Sequence, residues 1–185
     1  MAFLLIIGGA AGVVASLLFA VAGIDKLRHR ALLPGVIANY RLLPPVLVAP
    51  AAAALPAAEL AIAAALMLGL AGAVPPPVVA GAALAATLLL LLFAAAMAIN
   101  IQRGRRHIDC GCGHAGLRQQ LGWGQVARNI MLGIGLAPLI MPGGASPLAG
   151  ADVAVAVAAG VAIYLLMLLF ITLNAVTGPR ARARG

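Results

Sequence analysis

Charged residues are scarce in this chain, and their scarcity excludes a water-soluble fold. Only 9% of the 185 residues are Asp, Glu, Lys or Arg, whereas a soluble domain carries about 25%. Apolar residues make up 64%, which is more than a core of this size can bury, so lipid must cover the remainder. We therefore predict an all-α integral membrane protein.

Aromatic residues are also few, at 4%, and they are not interleaved with basic ones. A nucleic-acid surface combines the two, so the net charge of +8 does not indicate a nucleic-acid partner. Apart from Arg128, the twelve Lys and Arg residues instead lie in short runs between apolar stretches, which is typical of membrane topology signals.

Cysteine is nearly absent, which excludes the disulfide framework of a small secreted domain. Both cysteines belong to one unit, Cys110-Gly111-Cys112. Their spacing indicates a local redox pair or a metal site.

Five apolar runs are long enough to be transmembrane helices. They cover residues 2–24, 46–72, 75–99, 123–141 and 152–176. We predict one helical domain over residues 1–178, a bundle of about five helices whose first helix is not cleaved, followed by a short basic tail at 179–185. Lipid is the surrounding partner.

The basic residues predict the orientation of these helices. Apart from Arg128, they lie in the 25–44 loop, in the 101–122 loop and in the tail, whereas the loops near 72–75 and 142–151 have none. Basic loops stay in the cytoplasm, so the N-terminus is expected outside, the C-terminus inside, and the cysteine loop on the cytoplasmic side.

Positive charge near the cysteines favours the thiolate form. Its sources are Arg103, Arg105, Arg106, Arg128 and a helix N-terminus near Trp123. The adjacent carboxylate of Asp109 disfavours the thiolate or instead serves as a proton acceptor. A CxC disulfide closes a strained ring that is easily reduced, so a reversible dithiol/disulfide pair is the functional hypothesis.

The cysteine loop has two alternative interpretations. In one, the cysteines are free thiols in a reduced compartment. In the other, His107, Cys110, Cys112 and His114 bind a metal. Zinc sites usually space their cysteines more widely, which makes the metal site the weaker alternative.

Glu59 is the one carboxylate deep inside an apolar run, three residues after Pro56. An ionisable residue inside a membrane is a functional candidate. Glu59 either lines a polar pocket or holds helices together. In the second case it forms an ion pair with Lys26 or Arg128, or it stays protonated and hydrogen-bonded. Asn100, Arg128 and Asn129 are further polar candidates, and Tyr40 is expected at the membrane interface.

Several separated motifs follow one another in a family-specific order. They are GIDKL (23–27), NYRLLP (39–44), LPAAEL (55–60), INIQRGRRHIDCGC (99–112) and VARN (126–129). In that order they resemble the methylamine utilization MauE family, within the MauE/DoxX group of redox-associated membrane proteins. The resemblance also admits a four-helix DoxX-like core.

The resemblance implies a multi-pass protein of the bacterial inner membrane with an accessory role in maturing or exporting the disulfide-rich small subunit of methylamine dehydrogenase. A thioredoxin-like MauD-type protein is the implied partner, and a quinone is a candidate cofactor. By motif, Cys110 and Cys112 form the redox pair; the polar surroundings are Lys26, Tyr40, Glu59, Arg103, Arg105, Arg106, Asp109, Arg128 and Asn129.

The implied client is periplasmic, whereas the basic loops put the thiols in the cytoplasm. Three explanations of this conflict stay open. Either the cysteine loop reaches into the bilayer, or the orientation of the helices is reversed, or the thiols pass cytoplasmic reducing equivalents to another component. The rival function is a non-catalytic scaffold or export factor. A transporter is a weaker third hypothesis, since the chain shows no repeat.

Overall fold

The chain folds into helices joined by short connections. The computed structural model describes residues 2–105, 121–145, 148 and 150–177. Over these residues the elements are α1 (Ala2–Arg28), α2 (Leu33–Asn39), α3 (Pro45–Leu70), α4 (Pro76–Gln102), α5 (Trp123–Ile140) and α6 (Ala151–Thr177). The prediction of an all-α membrane protein is confirmed.

Four of the helices are long and apolar enough to cross a membrane. They are Phe3–Arg28, Pro45–Leu70, Pro76–Gln102 and Ala151–Leu173. The fifth predicted run forms α5, which is shorter, at 18 residues, and is not one of the four. Gln125, Arg128 and Asn129 occupy its first turns and lower its apolar content.

The bundle has a four-helix core. Helix α1 packs against α3 and α5, and α4 packs against the same two helices, so the four form a closed ring. Helix α6 lies outside the ring and packs against α1. The main apolar cluster draws on all four core helices, for example on Phe19, Ile62, Leu90 and Leu136.

Helix α5 runs along the whole length of this core. Near its first residues Val126 packs with Ile101 at the end of α4. Near its last residues Leu139 lies beside Gly8, close to the beginning of α1. An 18-residue helix is about 27 Å long, close to the hydrocarbon thickness of about 30 Å.

Close helix contacts depend on glycine at two places. A Cβ atom added to Gly23 of α1 would lie 3.2 Å from the carbonyl oxygen of Pro56 in α3. One added to Gly160 of α6 would lie 2.7 Å from the carbonyl oxygen of Ala10 in α1. Small residues let helix backbones approach in this way inside membranes.

The loop predicted at 25–44 contains a helix of its own. Helix α2 packs against α3 and buries Leu33. It ends at Asn39, and Arg41 then has a φ of 51°, in the left-handed region in which chains often leave a helix. Helix α2 thereby lies beyond the end of α1, next to the first half of α3.

Candidate functional site

A buried ion pair joins α1 to α3. The Nζ atom of Lys26 donates hydrogen bonds to Oε1 and Oε2 of Glu59, at 2.7 and 2.9 Å. Glu59 is fully buried and Lys26 is 7% exposed. Either charge alone would be costly at such a position, so each side chain stabilises the other. Of the two basic partners that the sequence leaves open, the structure places Lys26 beside Glu59.

An aromatic ring completes this cluster from a third helix. The Nζ atom of Lys26 lies 5.8 Å from the ring centroid of Phe93 in α4, within the range of a cation–π interaction. The pair therefore lies where α1, α3 and α4 meet. Phe93 carries no signal of this role in the sequence, because it stands in an uninterrupted apolar run.

A groove opens between α3 and α4 beside the ion pair. Its volume is about 660 Å³, and Lys26 is the charged side chain in its lining. The remaining lining residues come from α2, from the first half of α3, from the last third of α4 and from the connection after α2. They are Leu33, Val36, Ile37, Tyr40, Leu42, Leu43, Ala51, Ala54, Leu55, Ala58, Leu92, Phe93, Ala95, Ala96, Met97 and Ile99.

Hydrogen bonds fasten the end of α4 to the end of α2. The buried amide of Asn100 donates to the carbonyl oxygens of Tyr40, at 3.2 Å, and Ala96, at 3.0 Å. Arg105 donates to Oδ1 of Asn100 at 3.2 Å and to the carbonyl oxygen of Asn39 at 2.8 Å. The chain therefore enters the cysteine-bearing segment from a fixed point.

The far end of that segment is also fixed. Leu121 is 2% exposed and packs with Met97, Ile101 and Val126. The backbone N–H of Gly122 donates to the side-chain oxygen of Gln125 at 2.7 Å, which satisfies a donor at the start of α5. Both anchors lie where α4 ends and α5 begins.

Arg128 lies half-buried in the second turn of α5. Its guanidinium donates to Oδ1 of the buried Asn129, at 3.3 and 3.4 Å. Within residues 2–105, 121–145 and 150–173, no carboxylate lies within salt-bridge distance of Arg128. The positive charge therefore faces this end of the bundle without a described acidic partner.

Comparison with known proteins identifies the family. The family described as "Methylamine utilisation protein MauE" matches residues 1–142. The chain belongs to the MauE family. It is 44% identical to the methylamine utilization protein MauE of Paracoccus versutus over 155 residues, which are 80% of this chain and 77% of that protein.

Two further MauE proteins match over most of their length. The protein of Paracoccus denitrificans is 40% identical over 92% of this chain and 90% of its own. That of Methylorubrum extorquens is 42% identical over 91% of this chain and 86% of its own. No solved structure gives a significant match.

Membership in the MauE family associates the chain with methylamine utilisation, as a multi-pass membrane protein. The family match ends at residue 142, so it includes α1 to α5 and stops before α6. The part of the fold that the family match covers is therefore the four-helix core with α2.

The predicted site residues fall into two groups. The first group lies in the described part of the chain. There Lys26 contacts Glu59, and Asn100 forms hydrogen bonds with both Tyr40 and Arg105. Arg128 contacts Asn129, and Arg103 is exposed at the end of α4. The others lie outside the described residues; they are Arg106, His107, Asp109, Cys110, Cys112 and His114.

Proposed function

We propose that this MauE-family protein is a thiol–disulfide redox accessory of methylamine utilisation in the bacterial inner membrane. Cys110 and Cys112 alternate between dithiol and disulfide. They exchange with a thioredoxin-like MauD-type protein and thereby support disulfide formation in, or export of, the small subunit of methylamine dehydrogenase.

The observation that carries the proposal is the anchoring of the cysteine-bearing segment at both ends. Arg105 is held by Asn39 and Asn100 before the segment, and Leu121 is buried after it. Cys110 follows Arg105 by five residues, so covalent geometry keeps their Cα atoms within about 19 Å of each other. We therefore expect the thiols to act near the end of the bundle where α4 ends and α5 begins.

The charges at this end suit thiol exchange. Arg105 and Arg128 bring positive charge to the two ends of the segment, and positive charge favours the thiolate that attacks a disulfide. In the exchange, one thiolate attacks the partner's disulfide and forms a mixed disulfide, which the second thiolate then breaks. Two electrons and two protons pass from the dithiol to the partner, and the reverse reaction returns them.

Thiol trapping tests both the redox state and the side of the membrane. A membrane-impermeant maleimide is applied to intact cells and to inverted vesicles, with and without prior reduction. We expect labelling of inverted vesicles after reduction, since the basic loops predict a cytoplasmic position. Full labelling without reductant would show resting free thiols and would favour the scaffold function instead.

Serine substitution tests whether the thiols are needed. Cys110→Ser and Cys112→Ser are each expected to abolish formation of the mature methylamine dehydrogenase small subunit. Ala115→Ser adds a hydroxyl group to the same segment while keeping both thiols, so it is the matched control. Normal maturation in the double serine variant would contradict the redox function.

A further inference from the structure

The groove between α3 and α4 exists because α1 stops short. Helix α1 ends at Arg28, just after the ion pair, whereas α3 and α4 continue past it. Helix α2 lies beside the gap but does not fill it. The volume that is left, about 660 Å³, is within the range of small-molecule sites, roughly 300–1,000 Å³.

The composition of the groove indicates that it faces lipid rather than water. Its walls are aliphatic except for Lys26, Phe93 and Tyr40. Rim residues are exposed, with Leu92 62% and Leu43 42% accessible. An occupant must therefore be soluble in the bilayer and mainly apolar.

Lys26 adds a hydrogen-bond donor to this apolar groove. An ammonium group carries three N–H donors, and Glu59 accepts two of them. Among the described residues no hydrogen bond uses the third, and Lys26 lines the groove. This donor is available to an oxygen atom of a ligand.

The charge of the pair determines which oxygen fits. Glu59 cancels the charge of Lys26 at 2.7 Å, so the site is neutral overall. A phosphate headgroup would compete with Glu59 for the ammonium and would have to lose its hydration. A neutral carbonyl oxygen accepts the free N–H without displacing Glu59.

The half-buried ring of Phe93 lies beside this donor and also lines the groove. Aromatic rings prefer to pack against other flat rings in offset or edge-to-face arrangements. A flat ring that bears a carbonyl oxygen and a long apolar tail would match the N–H donor of Lys26, the ring of Phe93 and the apolar walls. We propose that the groove binds a lipid-soluble quinone, with a ring carbonyl at Lys26 and its tail along the α3 and α4 walls.

The test uses the full chain in phosphatidylcholine nanodiscs and a benzoquinone with a decyl tail. Saturable binding is expected as a concentration-dependent rise in the apparent melting temperature. The matched ligand is a dimethoxybenzene with the same tail, which has no carbonyl oxygen. We expect it to bind about tenfold more weakly, since it loses one buried hydrogen bond.

Substitutions inside and outside the groove test where the quinone binds. Ala54→Trp and Ala58→Trp fill the groove and are expected to weaken quinone binding at least about tenfold, because the tail then lacks room. Ala85→Trp makes the same change on an exposed part of α4 outside the groove, and it is expected to bind like the unchanged chain. The double variant Lys26→Met/Glu59→Leu is expected to bind quinone and dimethoxybenzene alike.

Three results would overturn the proposal. They are the absence of a saturable shift, equal binding of both ligands by the unchanged chain, and unchanged binding in Ala54→Trp. Equal binding would make the groove a site for any lipid chain, phospholipids included. Because the measurement needs no thiol, Cys110→Ser/Cys112→Ser should bind quinone normally even if the redox function is wrong.

Discussion

At the scale of single residues, the ion pair between Lys26 and Glu59 has the largest energetic consequence. Removing one partner of a buried pair leaves the other charge uncompensated, at a cost of about 3–5 kcal/mol. Replacing both partners by apolar side chains of similar size is often neutral. Lys26 and Glu59 are buried side by side, so they should be far more sensitive to single than to double substitution.

We therefore expect Lys26→Met and Glu59→Leu each to lower the melting temperature in detergent clearly. Lys26→Met/Glu59→Leu should recover most of the loss. The measurement is the fraction of monodisperse protein left after heating, by size-exclusion chromatography. Strictly additive losses in the double variant would show that the two side chains do not depend on each other.

The sequence identifies Glu59 but does not identify its partner. A lone carboxylate in an apolar run is visible without a structure, and so is the need for a partner. The choice between Lys26 and Arg128 depends on which helices are neighbours, and this sequence carries no local signal for that. Phe93 is beyond sequence reasoning for the same reason, since only packing distinguishes it from the leucines around it.

At the scale of helices, the five apolar runs are predicted well, including the shorter α5 at Trp123–Ile140, whereas the seven-residue helix α2 is missed. Helices α3 and α4 begin within a residue of their predicted starts, at Pro45 and Pro76. The sequence does not predict helix α2, because it is only seven residues long and includes Gly35, a poor helix former. Its contacts with α3 and the buried Leu33 stabilise it instead.

The contact between α6 and α1 supplies a prediction with its own control. Gly160→Leu adds a side chain where even a Cβ atom would lie 2.6 Å from Cβ of Val13. Overpacking of this kind costs about 1–3 kcal/mol, so the melting temperature in detergent should fall. Gly81→Leu in α4 has no atom within 4 Å of the added Cβ and should change little. Equal losses in both variants would contradict the close contact between α1 and α6.

At the scale of the whole molecule, helix α5 decides the number of membrane spans. Its packing runs from Ile101, at the end of α4, to Gly8, near the start of α1. It therefore extends over the same depth as the apolar core. If it crosses, the chain has five spans, and the positive-inside rule predicts the basic residues at 180–184 on the same side as the other basic loops.

Reporter fusions distinguish five spans from four. We expect alkaline phosphatase to be active when fused after residue 144 and inactive when fused after Gly185. Green fluorescent protein after Gly185 should be fluorescent, since it folds in the cytoplasm. If α5 does not cross, α6 reverses direction, and the phosphatase activities of the two fusions are exchanged.

The walls of the groove between α3 and α4 are mainly apolar, so we expect it to open toward lipid. The occupancy of such a groove must be expressed relative to the amount of lipid. A ligand that enters from the bilayer is governed by its mole fraction in the membrane, not by its concentration in water. Adding detergent dilutes it into micelles and empties the groove without any change in intrinsic affinity. Affinities from different membranes become comparable only when they refer to the same ratio of ligand to lipid.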